Sequence, residues 1–487
     1  MIATRIASAA GLAAAAAGWL GLAPALAPAL APALAPVLVP SAARAQTAAT
    51  TCAQSAGSTA ASPPAPTVID ATCAALPIDF PGAIEQGGFD LFAWLSFVAV
   101  NWPVDPATCT ADAGASILSG TPAPVWLSYA SDTSVFVPAG QSPAPWCAQG
   151  AGTAQGLGGA EKRMQALSAQ RAARVALLPE KVRALAEAHP QVTLFLSHDA
   201  KGAGLLHDRA ALSGADGVPV SGILQATGQP VVDQNGRFAR YSVFMNQVEY
   251  DYLTANRLWT KAGQQEIAQI AFPASHRKTG ALGSMEIKAA WKVLGAGDDP
   301  SRFLTQTAIV YNDTSGDPSP GPNPVTVGLA GLHLVRKTQS SPEWIWATFE
   351  QIDNDTRSFA DPACTTCAPN QPPTLKPYRE LDAAGKPLNP PTQVVPVVQP
   401  EQSATRLNAT FQPLLKGTPF AFYRLISAQW TGEFGNTPKP PQLGNSVIET
   451  YVTPGAKTYG CLQCHDGATA WPSNKPADRS FIINAQQ

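Results

Sequence analysis

Proline and glycine are spread through this chain, and they limit what it can fold into more than any other feature. The 487 residues include 46 prolines and 39 glycines. Each proline lacks a backbone donor and disrupts helices and interior strands, and glycine favours turns. We therefore expect long ordered loops around a β-rich body.

The charges of the chain nearly cancel, because 32 Lys and Arg face 34 Asp and Glu. A balanced charge argues against a strongly basic nucleic-acid binder and against an acidic disordered tail. The hydrophobic fraction of 45% provides material for a sizeable core. We predict a folded protein with no nucleic-acid partner.

The N-terminus has the features of an export signal. Arg5 precedes an apolar, Ala-rich stretch, and the small-x-small triplet at 43–45 stands before Gln46. We predict a signal peptide over residues 1–45. Prolines at every fourth position between Ala23 and Pro36 disfavour a membrane-spanning helix there. No later stretch reaches about 18 uninterrupted apolar residues, so we expect an exported protein with no membrane anchor.

Composition shifts divide the remainder of the chain into three parts. Residues 46–75 are rich in Ala, Pro and Ser and predict a flexible lead-in. Residues 76–400 predict a large β-rich body with helices. Residues 401–487 predict a C-terminal segment packed on that body.

Apolar patterning predicts the main elements of the body. The predicted elements are a buried helix over 89–102, a tight hairpin at Asn235-Gly236, and strands over 284–294, 325–336 and 344–352. The predicted fold class is α+β, a mainly antiparallel β body with surface helices and long Pro- and Gly-rich loops.

The eight cysteines are an even number, which in an exported chain indicates oxidised pairs. If Cys461 and Cys464 serve another purpose, the other six allow 15 pairings, and spacing alone does not choose among them. We take one of these sets as a working hypothesis. The predicted disulfides are Cys52–Cys73, Cys109–Cys147 and Cys364–Cys367.

One short motif carries chemistry, the sequence Cys461-Leu462-Gln463-Cys464-His465. This C-x-x-C-H pattern resembles the haem-attachment motif of c-type cytochromes, and the resemblance is limited to the C-terminal segment. It implies one covalent haem c, with thioethers to Cys461 and Cys464 and with His465 as the proximal iron ligand. The implied function is electron transfer in the periplasm with redox partner proteins.

Two other interpretations of the motif are open at this stage. Cys461 and Cys464 could form a plain disulfide beside an accidental histidine. They could also form half of a zinc site completed by Cys364 and Cys367, although this needs four thiolates in an oxidising compartment.

The sixth haem ligand is not encoded near the motif, because none of the 22 residues after His465 is Met or His. The ligand must come from upstream, or one face of the iron stays open. The upstream candidates are Met285, His333 and Met245. Core packing is the alternative for the two methionines, and a satisfied core position is the alternative for the histidine. We discount Met164, His189, His198 and His207 because they lie among polar or loop residues.

The large body motivates two alternative functions. One is a haem-dependent oxidase or peroxidase with an open distal face, and the other is a haem-containing sensor that binds a small molecule. Glu286 and Lys288 alternate on one predicted strand face and, with Glu350 and Asp353, could form a polar pocket. A solvated face with surface ion pairs is the alternative.

Overall fold

The computed structural model describes the chain in segments that begin at residue 49. The described residues are 49–58, 60, 63–80, 84–120, 123–137, 140–143, 145–148, 171–172, 174–176, 178–197, 223, 229–312, 317–318, 323–374, 378–382, 384–431, 437–452, 459–470 and 473–484. The predicted signal peptide lies outside them, as do Met164, His198 and His207. The described residues, which begin at residue 49, form one compact unit.

The central element of the fold is a mixed β-sheet. The described strands are β1 Val104–Asp105, β2 Thr110–Ala111, β3 Ala130–Ser131, β4 Leu194–Ser197, β5 Arg240–Met245, β6 Met285–Val293, β7 Thr305–Asn312, β8 Asp317–Pro318, β9 Val325–Arg336, β10 Ile345–Gln351 and β11 Tyr423–Gln429. Nine of them form the main sheet, in the order β11-β10-β9-β6-β5-β3, with β7 also beside β9 and with β4 and β8 beside β7. The other two, β1 and β2, form a separate pair.

Helices in the described part of the chain are mostly short. They are α1 Cys52–Ala56, α2 Gln86–Val100, α3 Asp132–Val135, α4 Glu180–Ala188, α5 Gln247–Ala255, α6 Lys261–Glu266, α7 Gln402–Leu414 and α8 Cys461–His465. The fold class is therefore α+β, as predicted. The predicted helix at 89–102 and the three predicted strands correspond to α2, β6, β9 and β10 within a few residues.

One feature of the sheet differs from a purely antiparallel arrangement, because β4 and β7 pair in parallel. More than 100 residues separate these strands along the chain, and residue alternation within a strand does not indicate its partner. The other pairings among the described strands are antiparallel.

Alternation along the central strands gives the sheet two differently covered faces. On one face Met285, Ile287 and Leu334 join a cluster with α2 and α7. Trp94 of α2 stacks on Phe411 of α7 with ring centroids 4.8 Å apart. On the other face Glu286, Lys288, His333 and Trp346 point toward the C-terminal residues. The sheet thus separates an apolar helical layer from a more polar layer.

The three predicted disulfides are all confirmed: Cys52–Cys73, Cys109–Cys147 and Cys364–Cys367. The first lies within the predicted lead-in 46–75, which therefore contains the helix α1 and a covalent crosslink. The C-terminal segment that was expected from residue 401 contains α7 and β11, and β11 is a strand of the main sheet that pairs with β10.

Candidate functional site

The C-x-x-C-H residues form the short helix α8. Positions i, i+3 and i+4 share one helix face, so Cys461, Cys464 and His465 lie side by side. Cys461 is buried and Cys464 is partly exposed, and neither forms a disulfide. Burial raises the pKa of both thiols, which is opposite to the lowered pKa of reactive redox thiols. The helix therefore presents two protonated thiols and one imidazole to the same space.

Two contacts hold α8 against the sheet. The Gln429 side chain at the end of β11 accepts a hydrogen bond from the Leu462 backbone N–H at 2.9 Å, and Leu462 is fully buried. Gly460 stands directly before the helix. A Cβ at this position would come within 2.1 Å of the Gln429 Nε2 atom, so glycine permits the close approach.

The His465 ring is held on three sides. Its Nδ1 lies 2.8 Å from the Arg479 carbonyl oxygen, which fixes Nδ1 as the protonated nitrogen and leaves Nε2 free. Trp346 and Phe481 pack against the ring with centroid distances of 4.7 and 4.8 Å. Burial lowers the pKa of His465 to about 4, so the ring is neutral at neutral pH. A neutral, oriented imidazole is the form that binds iron.

The carbonyl group that orients His465 belongs to Arg479, and the backbone dihedral angles of Asp478 and Arg479 lie in the left-handed region. Asp478 and Arg479 have φ of 51° and 63°, an arrangement that costs about 1–3 kcal/mol per non-glycine residue. Surrounding contacts hold this geometry. The Asp478 carbonyl accepts from Trp344 Nε1 at 2.8 Å, and Arg479 Nε lies 2.8 Å from a Glu343 carboxylate oxygen.

The motif opens onto a cavity between α8, the C-terminal residues and the polar face of the sheet. The empty space is about 790 Å³, including the part open to solvent. Besides the two cysteines and His465, the lining residues are Asp132, Val243, Glu286, Lys288, His333, Val335, Trp346, Glu449, Tyr459, Phe481 and Ile482. The lining combines apolar and aromatic side chains with a few polar groups, a composition that is typical of cofactor sites.

Two buried carboxyl groups interact next to the cavity, and one of them, Glu286, is part of its lining. Glu249 of α5 and Glu286 of β6 interact through their side chains, and burial raises the pKa of Glu286 to about 7 and that of Glu249 well above its ordinary value. The adjacent Asp478 carboxylate raises both further. We infer that this pair holds at least one proton at neutral pH.

The three sequence candidates for a sixth ligand occupy different places. His333 lines the cavity together with the motif. Met285 lies on the opposite face of the sheet, in the cluster with α2. Met245 is fully buried in a cluster on the motif side of the sheet but is not among the cavity-lining residues.

The four charged residues considered for a polar pocket separate into two groups. Glu286 and Lys288 line the cavity. Glu350 instead pairs with Arg424 at 3.1 Å, and Asp353 pairs with Arg302 at 2.6 Å. Glu350 and Asp353 therefore belong to ion pairs outside the cavity lining.

The cysteine pairing bears on the alternative interpretations of the motif. Because Cys364 and Cys367 form a disulfide, they do not supply thiolates for a shared zinc site. In the part of the chain that the structure describes, no cluster of three or more His, Cys, Asp or Glu side chains is arranged to hold a bare metal ion. The plain disulfide is likewise not formed between Cys461 and Cys464.

Sequence reasoning missed several residues of this site. Arg479 acts through a backbone carbonyl, which leaves no signal in a side-chain pattern. Glu449 and Tyr459 lie before the C-x-x-C-H motif and belong to no sequence motif that indicates a ligand site. Asp132 is more than 300 residues from the motif, and only the pairing of β3 with β5 brings it near.

The residues present fit a covalent haem. Two free thiols one helical turn apart match the attachment chemistry, and Nε2 of His465 is free while Nδ1 is held. Comparison with known proteins gives no information about the function of this site. No protein-family model, no curated protein and no solved structure matches this chain.

Proposed function

We propose that the protein is an exported monohaem c-type cytochrome that transfers electrons in the periplasm. One observation carries the proposal. Six of the eight cysteines are paired, whereas Cys461 and Cys464 are free and share one helix face and one cavity with an oriented His465.

Each residue of the motif has a defined part in this proposal. The thiols of Cys461 and Cys464 form the two thioethers, and His465 provides Nε2 as the proximal ligand. The Arg479 carbonyl keeps the ring in the tautomer that leaves Nε2 free. When bound, the haem supplies an iron centre that exchanges one electron with a partner. Trp346 and Phe481 prevent rotation of the His465 ring.

The compartment is part of the same proposal. Three disulfides are typical of chains that fold outside a reducing cytoplasm, and haem attachment to this motif also occurs outside it. None of the described helices is long and apolar enough to cross a membrane. We propose small redox proteins of the periplasm as partners.

A set of cysteine variants tests the proposal. The full chain is expressed in a bacterium with the c-type haem maturation system, and covalent haem is measured by haem staining of a denaturing gel. We expect staining of the wild type, weaker staining of C461A and C464A, and none of the double variant. The C364A/C367A variant is the matched control, because it removes a C-x-x-C pair outside the site. Equal staining of the double variant and the wild type would contradict the proposal.

A second candidate function is favoured by the polar side chains in the cavity. Glu286, Lys288 and His333 face the same space as His465, which suits a haem enzyme of oxidase or peroxidase type, or a sensor, better than a simple electron carrier. Carbon monoxide distinguishes the two candidates. A reduced protein whose spectrum does not change with carbon monoxide supports electron transfer, and rapid binding supports the enzyme or sensor.

A further inference from the structure

His333 has one ring nitrogen that the protein leaves unpaired. Its Nε2 lies 3.0 Å from a Glu449 carboxylate oxygen, and the residue is only 5% exposed. Its Nδ1 is buried without a hydrogen-bond partner among the described residues. A buried nitrogen without a hydrogen-bond partner is destabilising, so a missing ligand is a natural explanation.

Lys288 stands directly beside His333, because these two residues are paired in the register of β6 and β9. Its ammonium lies 5.5 Å from the centroid of the Tyr241 ring. In the described part of the chain, no carboxylate lies within ion-pair distance of Lys288 Nζ. Burial lowers the pKa of Lys288, which shows that desolvation of its charge is only partly offset. An anion bound next to the Lys288 ammonium would offset the remaining cost of removing that charge from water.

Glu449, the nearest acid, is already engaged by other groups. One carboxylate oxygen pairs with His333, and the other accepts the Asn445 backbone N–H at 2.7 Å. Its charge stabilises the ammonium from a distance, but it gives Lys288 no direct hydrogen bond. The same carboxylate orients the His333 ring, and in the doubly protonated ring Nδ1 is a second donor.

We infer that Lys288 and His333 form an oxyanion-binding wall inside this cavity. Lys288 Nζ and His333 Nδ1 donate to the oxygens of one carboxylate or other small oxyanion. Two sources share this chemistry, a propionate of the haem itself and a free oxyanion such as nitrite. The propionate source rests on the proposed function, whereas the free oxyanion does not need the haem.

Four variants of the full holoprotein test this wall: K288M, K288R, H333Q and K439M. K439M is the matched control, because the Lys439 ammonium also lies over an aromatic ring, that of Trp430 at 5.6 Å, but outside the cavity. Three readouts are recorded: covalent haem by mass spectrometry, the haem spectrum during nitrite titration, and the midpoint potential by spectroelectrochemistry.

If a free oxyanion binds, nitrite shifts the wild-type spectrum with saturation, and K288M and H333Q weaken the affinity about tenfold or more. If a propionate binds, nitrite has no effect. The midpoint potential then falls in K288M and H333Q, because losing the ammonium or the Nδ1 donor leaves the negative charge of the propionate less compensated and so favours the ferric state. In either case K288R retains most of the wild-type behaviour, and K439M is unchanged.

The inference is overturned if K288M and H333Q match K439M in both nitrite affinity and midpoint potential. A change from a low-spin to a high-spin spectrum in H333Q alone also overturns it, because His333 would then be an iron ligand. If the wild type carries no haem, the proposed function fails separately. Calorimetric titration of that protein with nitrite then decides the inference, and the absence of binding overturns it.

Discussion

At His465 a single backbone contact decides which ring nitrogen is free, and the motif alone does not reveal it. The C-x-x-C-H pattern predicts the two thiols and the imidazole. It does not predict that the Arg479 carbonyl lies 2.8 Å from Nδ1, because backbone acceptors depend on φ and ψ. His333 was one of three candidates in the sequence, and burial together with strand register distinguishes it from Met285, which lies on the other face of the sheet.

Asp90 provides a residue-scale prediction about pH. It lies fully buried in α2, accepts hydrogen bonds from Ser403 and the Ala428 backbone N–H, and burial raises its pKa from 3.8 to about 6. The folded state therefore binds a proton that the unfolded state has released between these pH values. Stability falls as the pH rises through this window, and the penalty is complete above pH 6.

Comparison with D90N isolates this effect, because asparagine does not titrate. We expect the unfolding free energy of the wild type, relative to D90N, to decrease by about 2 kcal/mol between pH 4 and pH 7, since one pKa unit is about 1.4 kcal/mol and part of the effect lies below pH 4. The lost hydrogen bonds add an offset that does not depend on pH. Urea unfolding at several pH values measures the difference, and a constant difference would contradict the account.

Among the elements, α8 depends most on its surroundings. A five-residue helix has little intrinsic stability, so Leu462 and the contact with Gln429 must hold it in place. The sequence predicts the chemistry of this segment but not its support, since Gln429 and Leu462 are 33 positions apart. By contrast, β9 and β10 were predictable because their side chains alternate regularly over many residues.

Gly460 gives a prediction at this scale. In G460A the added methyl group would lie 2.1 Å from Gln429 Nε2 and 2.5 Å from Gln463 Oε1. Either α8 shifts, or the Gln429 amide moves and loses its hydrogen bonds to the Pro440 carbonyl and the Leu462 N–H. We expect lower thermal stability and a smaller fraction of chains that carry haem. G467A is the matched control, because a Cβ at Gly467 meets nothing within 4 Å. Equal stability and haem content in the two variants would contradict the importance of this contact.

The whole molecule places its C-terminal motif against strands from the middle of the chain. The sequence predicts the α+β class, because periodicity carries that information. The three disulfides agree with a working hypothesis that the sequence itself does not fix. It does not predict that 401–430 completes the main sheet, since β11 pairs with β10 only after 71 intervening residues have folded back between Gln351 and Tyr423. Nor does it predict the cavity, whose lining spans Asp132 to Ile482.

The cavity also gives the large body a role. Strands β5, β6, β9 and β10 provide one wall, and α8 with the C-terminal residues provides the other. A haem fixed to Cys461 and Cys464 would thus be enclosed by residues that a self-contained C-terminal segment lacks. Its potential and ligand binding would depend on Lys288, Glu286 and His333 in the body.

The most direct test of the central claim is the intact mass of the full chain after maturation in a bacterium that attaches c-type haem. The account predicts one dominant species that equals the exported polypeptide with three disulfides plus one haem, and the added mass persists after denaturation. A bare polypeptide, with Cys461 and Cys464 free or joined to each other, would contradict it.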